Sequence, residues 1–311
     1  MNPLIEKLVR PHYLGLSGYV SAGMAGKNPA NIYLNANENP YPLPGLEDFN
    51  RYPEPQPPKL LAAMAGLYGV TPDNIMISRG ADEAIVVLTK LFVEPHKDSV
   101  LVTPPTFGMY KVDAMAMPAA GVVDVPLTKP DFQLDVPGIT AALAAHDNIK
   151  LVYLTSPNNP TGNLLNENDM LAVIEAARGK AMVVVDETYI EFTSRPSLSA
   201  RLAEFPHLII LRTLSKSFSL AGLRVGCAIT HDPALIALMR SKGLDAYPLP
   251  VASVQAALEA CRPRLRAMVE QVCIHGTSLQ LAEQALSLRR RQGKTLLKQG
   301  LQALAEHYGL A

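Results

Sequence analysis

Cysteine is scarce in this sequence, net charge is nil and long apolar runs are missing, and each shortage narrows the field. The three cysteines, Cys227, Cys261 and Cys273, share no CxxC spacing and are too few to staple a chain of 311 residues. A disulfide framework is therefore not expected, zinc is not indicated, and a reducing compartment is the default. The 28 basic residues are matched by 28 acidic ones, so the whole chain offers no field to gather nucleic acid or an anionic membrane. No stretch approaches the roughly 18 apolar residues of a membrane span. Pro3, Glu6, Pro11 and Gly15 stand where a secretory leader would place a basic region and an apolar run. These features predict a cytoplasmic protein whose partners are small molecules or another protein chain.

What the sequence does contain is core. Hydrophobic residues make up 48% and charged residues 18%, enough for one large or two unequal domains. The 26 prolines act as punctuation, dense between Pro40 and Pro58 and recurring at Pro104-Pro105 and from Pro248 to Pro250. Residues 1–58 have little periodicity and read as an arm. Helical spacing of Leu60, Leu61, Met64 and Leu67 then predicts a helix over 59–68, stopped by Gly69. Beyond it, strands are expected at 75–78, 99–103, 122–125, 149–156, 181–186, 208–211 and 224–230, with helices at 81–92, 108–115, 136–145 and 167–178. Apolar strands alternating with amphipathic helices predict an α/β three-layer sandwich with a mostly parallel sheet, occupying 59–250. From Ser253 onward only helical patterning continues, so 251–311 is expected to be a mainly helical region of different character.

In an open parallel sheet the ligand lies outside the carboxyl ends of the strands, and the polar residues gather there. The expected strand at 208–211 delivers Thr213, Ser215 and Lys216 into a turn before Ala221-Gly222-Leu223-Arg224. A lysine at a strand end can desolvate, lose its proton and condense with an aldehyde, while Ser215 and Arg224 suit a phosphate. Aldehyde plus phosphate describes pyridoxal 5'-phosphate. That cofactor also needs a carboxylate at its pyridine nitrogen, donors to its ring hydroxyl, a phosphate cup and an aromatic face. Asp186, closing an apolar strand, is the candidate carboxylate, and Asn159 and Tyr189 are the candidate donors. Gly80, Ala81 and Asp82 open a helix whose N–H groups could take the dianion, and Phe107 could cover the ring. Each has an ordinary alternative as a turn former, helix cap or core residue, and the case rests on all of them falling at strand ends.

The segments SRGADE (78–83), PPTFGMY (104–110), SPNNPTG (156–162), VVDETYIEF (184–192) and RTLSKSFSLAGLRVG (212–226) occur in an order that resembles the fold-type I aminotransferases. With LNANENP (34–40) and RYPEPQP (51–57), the chain is similar to the histidinol-phosphate aminotransferase family within them, over roughly residues 15–250. The resemblance implies Lys216 as the lysine that binds the cofactor and shuttles the proton, Asp186 on the pyridine nitrogen, and Asn159 and Tyr189 on the ring oxygen. It implies Ala81, Asp82, Ser215 and Arg224 around the phosphate, with Phe107 in place of a tyrosine often found there. Tyr52 is implied to reach the neighbouring subunit's site in a homodimer, and Tyr19 and Asn37 to meet substrate. The implied reaction is amine transfer between histidinol phosphate and 2-oxoglutarate, giving glutamate. The family's small domain, with strands and arginines that grip the substrate anion, has no visible counterpart, so 251–311 is expected to be an atypical or truncated remnant of it. An aromatic aminotransferase, a threonine-phosphate-type decarboxylase and a cofactor-binding but catalytically impaired remnant are the alternatives these residues leave open.

Overall fold

The computed structural model of this chain describes residues 1–18, 36–47 and 49–261, with separate positions from 278 to 301. Tyr19 and nearly all of the helical patterning after Cys261 lie outside the described residues. The elements follow in chain order as α1 (Pro3–Glu6), α2 (Pro11–Gly15), α3 (Pro58–Tyr68), β1 (Ile75–Ser78), α4 (Gly80–Phe92), β2 (Ser99–Val102) and α5 (Met109–Ala116). They continue as β3 (Gly121–Asp124), α6 (Val136–Ala145), β4 (Ile149–Thr155), α7 (Glu167–Ala176), β5 (Met182–Asp186), β6 (Leu208–Thr213), β7 (Gly226–Thr230), α8 (Pro233–Leu238) and α9 (Val251–Ala260). The helix ends follow local chemistry. Gly69 closes α3 in the left-handed conformation at φ 67°, the Asn166 side chain caps α7, and the Asp232 side chain caps α8.

The seven strands form one sheet in the order β1-β7-β6-β5-β4-β2-β3. β6, β5, β4, β2 and β3 run parallel, whereas β7 is antiparallel to both β1 and β6. Alternation along the central strands divides the core into two layers, as burial of both sheet faces requires. Met182, Val184, Leu151, Tyr153, Ile209 and Leu211 face one way, toward a cluster that includes Ile85 and Leu88 of α4 and Tyr110 of α5. Val183, Val185, Val152, Leu154, Leu208 and Ile210 face the other, toward residues of α3, α6 and α7. Helices therefore cover both faces of a mostly parallel sheet, giving the expected three layers.

Most boundaries shift from expectation by a residue or two, and the shifts at β6 and β7 bear on the site. β6 runs on through Arg212 and Thr213, because these pair with Cys227 and Gly226 of β7. β7 starts at Gly226 rather than at 224, because Arg224 turns left-handed at φ 55° and cannot extend the strand. The chain outside 59–250 also packs on the domain. Ile5, Leu8 and Val9 lie in the core beside α4, and α9 buries Ser253 and Ala257, with Ser253 Oγ donating to the Leu223 carbonyl at 2.7 Å. Among the described residues no helix is long and apolar enough to cross a membrane.

Candidate active site

The sheet order explains how motifs scattered over 150 residues become neighbours. Along one edge of the sheet lie, in sequence of strands, the loop after β4 with Asn159, the end of β5 with Asp186, and the turn after β6 with Ser215 and Lys216. Next come the turn before β7 with Arg224 and the start of α4 after β1, with Gly80, Ala81 and Asp82. The antiparallel direction of β7 matters here, since it brings the beginning of that strand to the edge where its neighbours end.

At the Arg224 end the site is open. The guanidinium of Arg224 donates to Asp82 Oδ2 at 2.8 Å, with both side chains nearly half exposed. Gly80 holds a φ of +75°, and a Cβ there would meet Arg224 Nη2 at 2.6 Å. Gly226 is equally constrained, since a Cβ would lie 2.5 Å from the Gly80 carbonyl carbon and 2.6 Å from the Ala81 nitrogen. Bare backbone thus brings the first turn of a 13-residue helix against a guanidinium. Unpaired N–H groups, the positive end of the helix dipole and an arginine together make an anion cradle. Ser215 is fixed beside it: Thr213 Oγ1 lies 2.9 Å from Ser215 Oγ and accepts the Ser215 N–H at 3.1 Å. Lys216 stands exposed in that turn, its Nζ 5.8 Å from the centre of the Tyr189 ring.

The other end is buried. Asp186 is 4% exposed, and its Oδ1 accepts the Thr188 N–H at 2.9 Å while its Oδ2 accepts the Tyr110 hydroxyl at 2.7 Å. Burial raises the proton affinity of this carboxyl, and the donors from Thr188 and Tyr110 oppose the rise. Asn159 donates its amide to the Tyr189 hydroxyl at 3.3 Å, so the two expected ring-oxygen donors are already neighbours. Phe107 is half-buried and meets Tyr110 edge-on at 5.6 Å.

Behind the strand ends sits a cluster the sequence reading did not single out. Arg212 donates to Glu187 Oε2 at 3.2 Å and Glu191 Oε1 at 2.6 Å, with all three side chains under a tenth exposed. Its guanidinium covers the Tyr68 ring at 4.5 Å. Glu187 in turn accepts the Ser197 hydroxyl at 2.5 Å and the Leu198 N–H at 2.8 Å. The alternation that puts residues 208 and 210 toward the α3 layer carries Arg212 to the same side. Tyr110 could have been suspected from the helical spacing after PPTFGM. Arg212 gave no such signal, because a charged residue inside an apolar strand reads as an interruption.

The arm residues Tyr52 and Asn37 meet other parts of the chain than the strand-end row. Tyr52 is 57% exposed and stacks on Tyr247 at 4.2 Å, and Asn37 is exposed with φ 53°. Both border an open concavity beside Glu38, which pairs with Arg51 at 2.9 Å and accepts the Tyr52 N–H at 2.6 Å. Among the described residues no group of three or more His, Cys, Asp or Glu could hold a metal ion.

The donor set suits pyridoxal 5'-phosphate: a buried carboxylate at one end, a cationic cradle shaped by missing Cβ atoms at the other, and a lysine in the turn between. Comparison with known proteins agrees with this fit. The family model for aminotransferase class I and II matches residues 12–306, well into the tail that the sequence reading set apart. A histidinol-phosphate aminotransferase of Haemophilus influenzae is 44% identical over 299 residues, covering 94% of this chain and 79% of the relative. Its counterpart in Yersinia enterocolitica is 42% identical over 288 residues, covering 90% and 75%. Among solved structures, histidinol-phosphate aminotransferase from Sinorhizobium meliloti in complex with pyridoxal-5'-phosphate superposes with a TM-score of 0.63 at 24% identity, covering 88% of this chain and 76% of that one.

Proposed function

Because the chain belongs to the class I and II aminotransferase family, we propose that it is a pyridoxal-phosphate-dependent transaminase acting on histidinol phosphate, with glutamate and 2-oxoglutarate as the other pair, in histidine biosynthesis. The observation that carries the reading is the row along the sheet edge, Asn159, Asp186, Lys216, Arg224 and the α4 N-terminus. When bound, the cofactor supplies an electron sink for the carbanion left when a substrate loses its α-proton. The chain supplies the rest. Asp186 holds a proton on the pyridine nitrogen, Asn159 and Tyr189 hold the ring oxygen, and Phe107 lies against the ring face. Ala81, Asp82, Ser215 and Arg224 surround the phosphate. Lys216 would hold the aldehyde end, and its Nζ, once free, is the group that would take the substrate's α-proton and return it.

The arm supports a shared assembly. Tyr41, Leu43, Leu46, Phe49 and Tyr52 are all more than 40% exposed on one short stretch, and clustered exposed apolar side chains suit a partner surface. We take it as the contact face of a homodimer, with Tyr52 serving the neighbouring site and Tyr19 and Asn37 meeting substrate. The arm (1–58), the large domain (59–250) and the tail (251–311) form the proposed division, and the cytoplasm the proposed compartment. Titrating the cofactor-loaded protein with histidinol phosphate, while following the cofactor absorbance and carbon dioxide release, tests the assignment. Bleaching without carbon dioxide, abolished in Lys216→Ala, is the expected result; carbon dioxide release would instead favour a decarboxylase, and an unchanged spectrum an impaired remnant.

A further inference from the structure

Tyr110 takes no part in the roles assigned so far, yet it is the side chain whose hydroxyl meets Asp186. It is fully buried, its ring stacked on Tyr153 at 4.4 Å and 8° and met edge-on by Phe107 at 5.6 Å. Such packing fixes where the hydroxyl points. The hydroxyl lies 2.7 Å from Asp186 Oδ2 and 2.9 Å from Thr155 Oγ1, and Thr155 Oγ1 lies 3.1 Å from Thr106 Oγ1. Alternation along β4 and β5 puts Thr155 and Asp186 on the face that Tyr110 packs against.

Counting hydrogens gives this chain a direction. An ionised carboxylate brings no proton, so Tyr110 must donate to it, spending its only hydrogen. Thr155 must then donate to the Tyr110 oxygen, and Thr106 to Thr155. Were Asp186 protonated, it could donate to Tyr110 and the order could reverse. We propose that Tyr110 is a positioning residue, which with Thr155 and Thr106 behind it holds Asp186 ionised and aimed so that its remaining lone pairs are left for the pyridine nitrogen. The proposal rests on the reading of Asp186 as the cofactor's carboxylate partner. A buried tyrosine needs a partner for its hydroxyl in any case, but Thr155 alone would satisfy it. Spending the hydrogen on a carboxylate whose own burial is costly is what points to function. The groups bearing on Asp186 are accounted for: Asp82 of α4 opposes its ionisation, Thr188 and Tyr110 favour it, and Tyr153 of β4 is stacked behind Tyr110.

The test uses the full-length protein freed of cofactor and titrated with pyridoxal 5'-phosphate across pH. Tyr110→Phe removes one oxygen and keeps both ring contacts. It is expected to weaken cofactor binding roughly tenfold, the scale of one hydrogen bond to a charged group. The acid limb of affinity against pH should move upward, because Asp186 without its donor protonates more readily. Thr155→Val, which cuts the chain one step earlier, should move the same limb in the same direction by less. Thermal unfolding of each cofactor-free variant separates this role from plain structural loss. An unchanged acid limb in Tyr110→Phe, or in Thr155→Val should the first variant not fold, overturns the proposal. If Asp186→Asn binds cofactor as well as the parent does, the reading of Asp186 has failed instead; if Asp186→Asn is weak while Tyr110→Phe matches the parent, only the positioning role has failed.

Discussion

Arg212 and Arg224 stand four residues before and eight residues after Lys216, both paired with carboxylates, and they differ in nearly everything else. Arg212 is 8% exposed between Glu187 and Glu191, whereas Arg224 is 45% exposed against a single Asp82. A buried cluster cannot release one member without stranding the others, while an exposed pair exchanges its partner for water at little cost. The first arrangement fastens the ends of β5 and β6 together; the second leaves a guanidinium able to turn from Asp82 to an incoming phosphate. On the proposed reading the same residue type serves as scaffold on one side of the lysine and as phosphate ligand on the other, with burial separating the two.

The largest effect should come from breaking the scaffold arginine. Arg212→Met keeps an apolar stem of similar length, takes the guanidinium off the Tyr68 ring and leaves two carboxylates buried without their cation, a loss that typically costs about 3–5 kcal/mol. Urea unfolding of the cofactor-free protein measures it. A loss below about 1 kcal/mol, the range of surface pairs, would place Arg212 in the same class as Arg224 and dissolve the contrast. Gly226→Ala comes next. Its Cβ would lie 2.5 Å from backbone at Gly80, so β7 and α4 must separate, at about 1–3 kcal/mol for overpacking. Because the displaced turn is also the proposed phosphate cradle, cofactor affinity should fall with stability, whereas Arg212→Met should act on stability first.

Arg224→Gln is the converse. Cofactor-free stability should change by less than about 1 kcal/mol, since only an exposed pair is lost. Affinity for pyridoxal 5'-phosphate should drop by about tenfold or more through loss of a charge-assisted contact, while affinity for unphosphorylated pyridoxal stays the same. Equal losses for both ligands would remove Arg224 from the phosphate site.

The contrast between the arginines also marks what the sequence could and could not reveal. Asp186 and Lys216 were legible because each ends or follows an apolar run, and strand ends in an α/β sheet are where ligands bind, and Arg224 because it closes the turn that carries the lysine. Their order along the edge was not, because it depends on β7 running antiparallel between β1 and β6, a pairing that no local pattern encodes. Nor was Arg212 legible: its value lies in Glu187, Glu191 and Tyr68, of which Tyr68 is 144 positions away in sequence. Tyr110 fell between, since its helix was expected and its hydrogen bond to Asp186, 76 residues on, was not.

The smallest effect lies at the other end of β6 and separates acid sensitivity of the fold from that of the site. His207 enters the strand fully buried, with Nε2 2.6 Å from the Ile174 carbonyl and Nδ1 buried without a partner. The nitrogen facing a carbonyl must carry the hydrogen, which leaves Nδ1 as the site of a second proton, and protonating it would bury a cation; burial accordingly holds its pKa below the ordinary 6.5, against the opposing pull of the Ile174 carbonyl. The unfolded chain therefore takes up this proton before the folded one does. The stabilisation is whole above pH 6.5 and is lost as pH falls toward the depressed folded value, by at most about 1.4 kcal/mol per pH unit. In His207→Gln the drop in melting temperature of the cofactor-free protein between about pH 7.5 and 5.5 should shrink, while the acid limb of cofactor binding, which belongs to Asp186, stays where it was. If that limb moves with His207, the two ends of the sheet titrate together, and the division between scaffold and ligand sites drawn from the two arginines does not extend along β6.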